Sequence, residues 1–484
     1  WCFSKADWRV YAQEAERLLW GWSADNFKSV DAAAGDFVGR VLEAAKCIPR
    51  GARASPKSWW NGACDAALAR LRAATNRLRG RPGDAAAVAA RRTAQEEADR
   101  TFEEEKRKAW GAFAASLDVD TPSSKVWGVV RALDGRGRAP LPDLPLHHEG
   151  HTAVSPRAKA NLAAGVYAAV SRLSAPRAEA KAAYVAVRAA LRRAGPTEPE
   201  EEPFSFAELN RALAGAKGKA AGPDGVPPQL LRRLPSRGLA ALLGLLNRSF
   251  VEGRVPARWK RAEIVPVLKK GKPADQVRSF RPISLLSVVG KTLEGMITAR
   301  MKRWAEGLGL LPEEQAGFRA GRSTADYLAM LAQRAFDGLQ SAKPAIRSLV
   351  TAVDFRAAFD RLWRGRLLQQ LAGHGLPRRW LRWLRSFLAN RRAAVRWGSC
   401  TGRSRVLSEG VPQGSPLSPL LFILFTAPLA AAVKEATPSC RVLCYADDMT
   451  LVTEDKDPEA AGEAAQTALS AVERWCGDNL VDVA

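Results

Sequence analysis

Four residues, Tyr445-Ala446-Asp447-Asp448, interrupt an apolar run. Arg441-Val442-Leu443-Cys444 precedes them and Met449-Thr450-Leu451-Val452-Thr453 follows. Two short runs of strand-forming residues about a tight acidic break predict a β-hairpin with two carboxylates at its tip. Adjacent carboxylates repel, burial raises the cost of ionising both, and a bound cation removes that cost. An acidic surface turn is the other reading of a lone Asp-Asp pair. A second stretch, Ser348-Leu349-Val350-Thr351-Ala352-Val353, is strand-like and ends in Asp354-Phe355-Arg356-Ala357-Ala358-Phe359-Asp360. The interval from Asp354 to Asp447 is ample for a helix and a return strand. Neighbouring strands that each end in Asp can hold two Mg²⁺ ions, an arrangement suited to in-line attack at phosphorus. Mg²⁺ is held in such sites by a few carboxylates together with substrate phosphates.

A third stretch, Gly410-Val411-Pro412-Gln413-Gly414-Ser415-Pro416-Leu417-Ser418-Pro419, sets a rigid turn before the apolar residues 420–424, which predict a buried helix. Asp-x-x-x-x-Phe, then Pro-Gln-Gly-Ser-Pro-Leu-Ser-Pro, then Tyr-Ala-Asp-Asp, in this order and spacing, resembles the palm of reverse transcriptases. The resemblance covers roughly 204–484. It implies an α+β fold: a right-hand polymerase palm and fingers, preceded here by a mainly helical N-terminal region. It also implies transfer of a nucleotidyl group from a deoxynucleoside triphosphate to a primer 3′-hydroxyl, copying RNA. On this resemblance Asp354, Asp447 and Asp448 hold two Mg²⁺, for which Mn²⁺ could substitute, and the Phe355 carbonyl adds a ligand. Phe359 would lie under the sugar 2′ carbon and exclude ribonucleotides, Gln413 would contact the incoming nucleotide, and Tyr445 with Ala446 would meet the primer end.

The elements that must position these residues can be read outward. A helix is predicted from 204 to 211. Ala220-Ala221-Gly222-Pro223-Asp224-Gly225-Val226-Pro227 then resembles the loop before the fingers in non-LTR enzymes, where it helps to cradle template RNA; a plain Gly-Pro turn is the alternative. The stretch from Trp259 to Leu268 reads as a strand ending in the basic turn Lys269-Lys270-Gly271-Lys272, and Ser279-Phe280-Arg281-Pro282-Ile283-Ser284-Leu285 begins its partner. The pair resembles the fingers hairpin, which makes Lys269 and Arg281 the triphosphate candidates and leaves Lys270 and Lys272 as a solvated turn. Residues 311–315, then Gly317-Phe318-Arg319 and Gly321-Arg322-Ser323-Thr324, match the next family segment and open a helix capped by Ser323 or Thr324. Between Arg361 and Ser408 there are twelve Arg and no Lys, Asp or Glu, interleaved with Trp363, Trp380, Trp383 and Trp397. Such a stretch suits a nucleic-acid channel, although Trp380 and Trp383, at i, i+3, have the spacing of core residues.

The chain has 484 residues, 47% of them apolar, so two or three domains with sizeable cores are expected. A formal net charge of +24 points to a polyanionic partner. Seven cysteines without a CxxC pair or framework spacing argue against a zinc knuckle and for a reducing, intracellular setting, nucleus or cytoplasm. No uninterrupted apolar stretch reaches 18 residues, so no membrane partner is expected. Residues 1–134 read as a helical connector that could bind RNA. There Trp1, Lys5-Ala6-Asp7-Trp8, Tyr11 and Ser58-Trp59-Trp60-Asn61 with Cys64 resemble the region after the endonuclease of LINE-like elements. An amphipathic bundle with aromatic core residues explains the same positions. Arg70, Arg72, Arg77, Arg79 and Arg81 could follow an RNA backbone or form a solvated face.

Residues 135–203 read as a loop-rich and helical linker, with helices near 156–172 and 175–193 and an acidic, Pro-rich end at 196–203. His147, His148 and His151 fall in it without an obvious fourth metal ligand. Residues 204–484 read as fingers and palm, with the thumb expected to be missing, along with any ribonuclease H region. The opening Trp1 suggests a piece of a longer polyprotein. The expected partners are template RNA, a DNA primer or target DNA, and deoxynucleoside triphosphates. The loop at 222–227 and the Arg281-Pro282-Ile283-Ser284-Leu285 form favour a LINE-like (non-LTR) element. A group II intron-type enzyme and a truncated, inactive RNA-binding remnant are the alternatives.

Overall fold

A computed structural model describes residues 1–50, 59–80, 83–116, 144–193 and 201–483, apart from positions 217, 219, 320, 342 and 344. The break expected at 135–140, the part of the acidic stretch at 196–200, Ser58 and Arg81 lie outside the described residues. The chain opens with α1 (Trp8–Leu18) and α2 (Val30–Ala44). Each begins where a side chain satisfies free amides: Asp7 accepts from Arg9 and Val10, and Ser29 from Ala32. Helices α3 (Gly62–Gly80) and α4 (Ala85–Ala115) pack on each other through a small core of their own, Ala67, Leu71 and Ala98 with Phe102. A strand pair, β1 (Leu146–His148) and β2 (His151–Ala153), precedes α5 (Pro156–Val170) and α6 (Arg177–Arg192). Pro156 at the first turn and the Ser155 cap explain where α5 starts.

Three helices, α7 (Phe206–Gly215), α8 (Pro228–Arg232) and α9 (Ser236–Glu252), lead to the expected hairpin of β3 (Arg261–Leu268) and β4 (Phe280–Leu285). After α10 (Val288–Gly307) and α11 (Thr324–Leu339) come β5 (Arg347–Val353), α12 (Ala358–Arg361), α13 (Arg364–Gly373), α14 (Arg378–Leu388), β6 (Arg391–Trp397), β7 (Cys400–Thr401) and β8 (Arg405–Leu407). The last elements are α15 (Ser418–Ala436), β9 (Arg441–Tyr445), β10 (Asp448–Asp455) and α16 (Pro458–Asn479). Ser323 caps α11, in a capping box with Asp326.

The strands form two main sheets. One is antiparallel, in the order β5-β10-β9; the other runs β4-β3-β6-β7, with β8 on β6 and a parallel β3-β6 pairing. Helices α15 and α16 back the first sheet. By length and composition α15 could cross a bilayer, yet half of it is buried here, packed on α13, α16 and β9.

The packing does not follow the divisions expected at 134 and 203. One core runs from Tyr11, Phe37 and Val41 through Phe250, Trp259 and Trp380 to Phe425 and Trp475. A second joins Leu146, Ala160, Ala163 and Ala164 of the N-terminal half to Ile264, Phe280, Val395 and Trp397 of the larger sheet. Polar contacts cross the same lines: Tyr11 Oη donates to the Leu230 carbonyl at 2.9 Å, and Arg300 bonds both Glu208 and the Glu202 carbonyl.

Candidate active site

The three-stranded sheet brings the acidic motifs together through its register. Val353 of β5 is the partner of Met449 of β10, so the next residues out, Asp354 and Asp448, leave the sheet side by side. Asp448 also pairs with Tyr445 across the β9-β10 turn, which places Ala446 and Asp447 at the tip. Ala446 has φ 61°, a left-handed conformation that costs a non-glycine residue about 1 kcal/mol. Asp447 is half-buried, whereas Asp354 and Asp448 are exposed. Burial pushes the Asp447 carboxyl above its ordinary range, the charges of Asp448 and Asp354 push it further, and Arg281 opposes them. The three carboxylates therefore share one field. Among the described residues, no three carboxylate, imidazole or thiolate side chains are gathered tightly enough to hold an ion by themselves.

A buried side chain holds the acidic turn from behind. Gln315 is 3% exposed. Its Oε1 accepts from the Ala446 N–H at 2.9 Å and from the Gly317 N–H at 2.8 Å, and its Nε2 donates to the Ala446 carbonyl at 3.2 Å. The backbone around it docks on β9, with Cys444 N–H donating to Glu314 and Ala316 N–H to Cys444. The contact is close enough that a β-carbon on Gly317 would lie 2.2 Å from the Ala446 nitrogen.

The turn at 410–418 is fixed from three sides. Ser415 Oγ donates to the fully buried Glu294 at 2.5 Å, Ser418 Oγ to the Pro412 carbonyl, and the Ser284 N–H to the Gln413 carbonyl. Val411 N–H donates to the Phe359 carbonyl at 2.7 Å, which ties this turn to α12. The Gln413 side chain reaches Asp360, with Nε2 donating to Oδ2 at 2.9 Å. Asp360 and Gln413 line a cavity of about 20 Å³ together with Tyr167, Arg364, Arg391 and Glu409. Burial raises the Asp360 carboxyl to about 7, against the opposing pull of Gln413 and Lys269. Phe359 is half-buried, its ring stacked on Phe422 at 4.9 Å.

The β3-β4 hairpin supplies two cations to this face. Val267 pairs with Arg281, so Lys269 and Arg281 point to the same side of the hairpin. Arg281 acts on Asp447 and Lys269 on Asp360. One charge thus bears on the acidic turn and the other on the enclosed carboxyl of Asp360.

Residues 267–484 match the sequence family described as reverse transcriptase (RNA-dependent DNA polymerase). The chain carries a reverse transcriptase domain. Over 264 residues it is 34% identical to a probable RNA-directed DNA polymerase from transposon BS of Drosophila melanogaster, which covers 53% of this chain and 28% of that protein. It is 31% identical over 278 residues to the RNA-directed DNA polymerase from mobile element jockey of Drosophila funebris, covering 57% and 30%. A putative 115 kDa protein in the type-1 retrotransposable element R1DM of Drosophila melanogaster is 30% identical over 303 residues, covering 60% and 28%. The chain spans under a third of the length of these relatives.

Within the reverse transcriptase domain the structure groups Asp354, Asp447 and Asp448 at one sheet end, with Tyr445 and Ala446 in the same turn. Phe355 is buried beneath them and lines a small cavity with Asp447 and Asp448. Tyr445 sets its ring edge-on against Tyr327. The interleaved tryptophans correct the channel reading at Trp363 and Trp397, whereas Trp380 and Trp383 are the core residues that their spacing predicts. Trp363, Trp380, Trp383 and Trp397 are all at most 4% exposed and offer no stacking face. Several arginines of the same stretch are also spent inside the protein. Arg364 bonds the carbonyls of Leu407, Ser408, Glu409 and Gly410, Arg391 that of Phe387, and Arg361, Arg366 and Arg396 pair with Asp482, Glu179 and Glu263. Arg382, Arg385, Arg392, Arg403 and Arg405 remain exposed.

The histidines at 147–151 sit on β1 and β2, where His147 Nδ1 meets Thr152 Oγ1 at 2.9 Å rather than a metal group. Sequence reasoning did not single out Gln315, Asp360, Glu294 or Tyr167. Gln315, Asp360 and Glu294 each bond a partner more than 50 residues away, Tyr167 lines the Asp360 cavity from a distant helix, and no local pattern announces such a placement.

Proposed function

We propose that this chain is the polymerising part of a non-LTR retrotransposon protein, copying RNA into DNA. In this reading the β5-β10-β9 sheet is the palm and the β3-β4 hairpin belongs to the fingers. The observation that carries the proposal is the register that sets Asp354 beside Asp448, with Asp447 at the turn tip in the field of both and of Arg281. The donor set fits Mg²⁺, a hard cation that binds oxygen and is commonly held by one or two carboxylates plus substrate phosphates rather than by an all-protein cage. The mutual repulsion recorded at Asp447 is what such a cation would relieve. Asp354, Asp447 and Asp448 would hold it, with the Phe355 carbonyl as a further ligand. When bound, the metal lowers the pKa of the primer hydroxyl and neutralises charge on the triphosphate.

The remaining steps belong to the chain's own groups. Arg281 and Lys269 fix the triphosphate against the acidic site, as fork and point charge. Phe359, held from behind by Phe422, forms a rigid wall under the sugar. A 2′-hydroxyl would overlap it without gaining a hydrogen bond, which selects deoxynucleotides. The Gln413 amide is oriented by Asp360 and keeps its Oε1 and one N–H for the nucleotide. Tyr445 and Ala446 lie where a primer end would approach. Template RNA and the primer would follow exposed arginines such as Arg382, Arg385 and Arg392, with the exposed Arg70, Arg72 and Arg77 of α3 as an outlying RNA contact. All seven cysteines are free, which supports a reducing compartment in the nucleus or cytoplasm.

The test is primer extension on an RNA template beside RNA binding at fixed salt. Asp354→Asn and Asp447→Asn should each abolish extension and leave binding within about twofold, because metal ligands serve chemistry and the basic surface serves affinity. Extension retained by either variant would refute the assignment.

A further inference from the structure

The acidic turn poses a mechanical problem. Its tip residue, Ala446, is held at φ 61° without being glycine. A two-residue hairpin loop with positive φ at its first position alone belongs to a turn type that prefers glycine there. The cost of about 1 kcal/mol for alanine must be met by surrounding contacts. The structure supplies them from one side chain. The Gln315 amide takes both main-chain groups of Ala446, accepting at 2.9 Å and donating at 3.2 Å, while its acceptor also holds the Gly317 N–H. Gln315 is buried, so water does not compete for these bonds. The backbone bonds of Glu314 and Ala316 to Cys444 place the amide in register with the turn. Without a side chain at Gly317 the two backbones can close to this distance.

We propose that Gln315 is a positioning residue for the acidic site. By clamping Ala446 in its left-handed conformation it sets where the Asp447 and Asp448 carboxylates stand relative to Asp354. The clamp lies outside both acidic motifs, in a segment that touches neither nucleotide nor primer in the proposed function. This inference rests on that reading for its catalytic consequence, but not for its geometry. An amide suits the task because it offers one donor and one acceptor to the two main-chain groups. A carboxylate would lose the donor and add a fourth negative charge. An apolar side chain would lose all three bonds and leave the Ala446 groups unpaired.

The test uses the full chain and three variants: Gln315→Met, which keeps the volume, Gln315→Glu, which keeps the acceptor, and Gln315→Met with Ala446→Gly. Hydrogen exchange at the Ala446 amide should quicken about tenfold or more in Gln315→Met and less in Gln315→Glu. Mn²⁺ titration followed by electron paramagnetic resonance should show weakening of at least fivefold in Gln315→Met. In primer extension kcat should fall about ten- to a hundredfold, with KM for the deoxynucleotide within about twofold. Adding Ala446→Gly should recover at least part of the Mn²⁺ affinity and of kcat, since glycine reaches the turn conformation unaided; a role in general stability would not be rescued this way. Unchanged exchange at Ala446, or a Mn²⁺ titration that superimposes on that of the wild type, would overturn the clamp. A wild-type chain without any extension activity would instead sink the polymerase reading, leaving exchange and Mn²⁺ binding to decide the clamp alone.

Discussion

Replacing Asp360 by Asn should make the protein more stable above neutral pH while leaving it little changed in acid. Asp360 Oδ2 accepts from Gln413 at 2.9 Å, and its carboxyl faces the cavity lined by Tyr167, Arg364, Arg391 and Glu409. The residue as a whole is only partly covered; the enclosure of its carboxyl is what matters for the proton. Burial raises that carboxyl from 3.8 to about 7, with Gln413 and Lys269 pulling the other way. A folded-state pKa above the unfolded value means stability that is complete below about pH 4 and is lost as pH rises to about 7. Roughly three pKa units correspond to about 4 kcal/mol. Asparagine keeps an oxygen to accept from Gln413 and carries no charge to bury, so the variant should not show this loss. The assay is urea unfolding at pH 5 and pH 8 for both proteins, read as the difference between them so that other titrations cancel. That difference should grow by about 3 kcal/mol in favour of the variant between the two pH values. A change under about 1 kcal/mol would show that Asp360 stays charged in the fold, and the account of this cavity would be wrong.

Three further outcomes follow from other contacts. Phe359→Val should raise the use of ribonucleotides relative to deoxynucleotides by on the order of a hundredfold in catalytic efficiency; an unchanged ratio with both rates falling together would make Phe359 only the stacking partner of Phe422. Burial alone would raise the Glu208 carboxyl, yet its bonds to Arg300 and Ser205 hold it at about 2. Its contribution of roughly 3 kcal/mol is therefore present above about pH 4.5 and lost as pH falls towards 2. Glu208→Gln should unfold more readily than wild type at pH 6 but equally at pH 2, and a gap that persists at pH 2 would reject the ion pair as its source. Gly410→Ala should cost about 3 kcal/mol, because its φ is +78° and the added carbon would lie 2.3 Å from the Asp360 carbonyl oxygen; a urea midpoint equal to wild type would contradict the tie between this turn and α12.

The acidic motifs were legible because each is carried by a strand end whose local pattern is strong. Short runs of strand-forming residues marked β5, β9 and β10, while the register that sets Asp354 beside Asp448 came only with the structure. The fingers-like hairpin was legible for the same reason, through β-branched runs about a basic turn. The roles of Gln315, Asp360 and Glu294 were not. Each depends on a partner brought near by the tertiary fold, and a lone Gln, Asp or Glu in sequence carries no mark of what it will meet. Trp363 and Trp397 were misread as a channel feature because interleaved Arg and Trp look alike in a nucleic-acid groove and on an amphipathic helix, whereas the i, i+3 spacing of Trp380 and Trp383 marked those two as core. On α14, Trp380 and Trp383 lie among Leu381, Leu384 and Phe387 in the core, while Arg382 and Arg385 face out. The divisions at 134 and 203 followed composition, which reports solubility and chain stiffness but not which surfaces a helix will cover.

The shared core has a consequence for what counts as a module here. The stretch recognised as a reverse transcriptase begins at residue 267, inside β3. Yet Ile264 and Ala262 of that same strand share a buried core with Ala160, Ala163 and Ala164 of α5, Trp259 lies in one core with the helices before it, and Tyr11 reaches across to the Leu230 carbonyl. The stretch that fits the family description is one unit, while the portion that excludes water is larger and takes in helices from the first fifty residues. A piece cut at residue 267 would carry Asp354, Asp447 and Asp448 and leave open the apolar surfaces that hold them still.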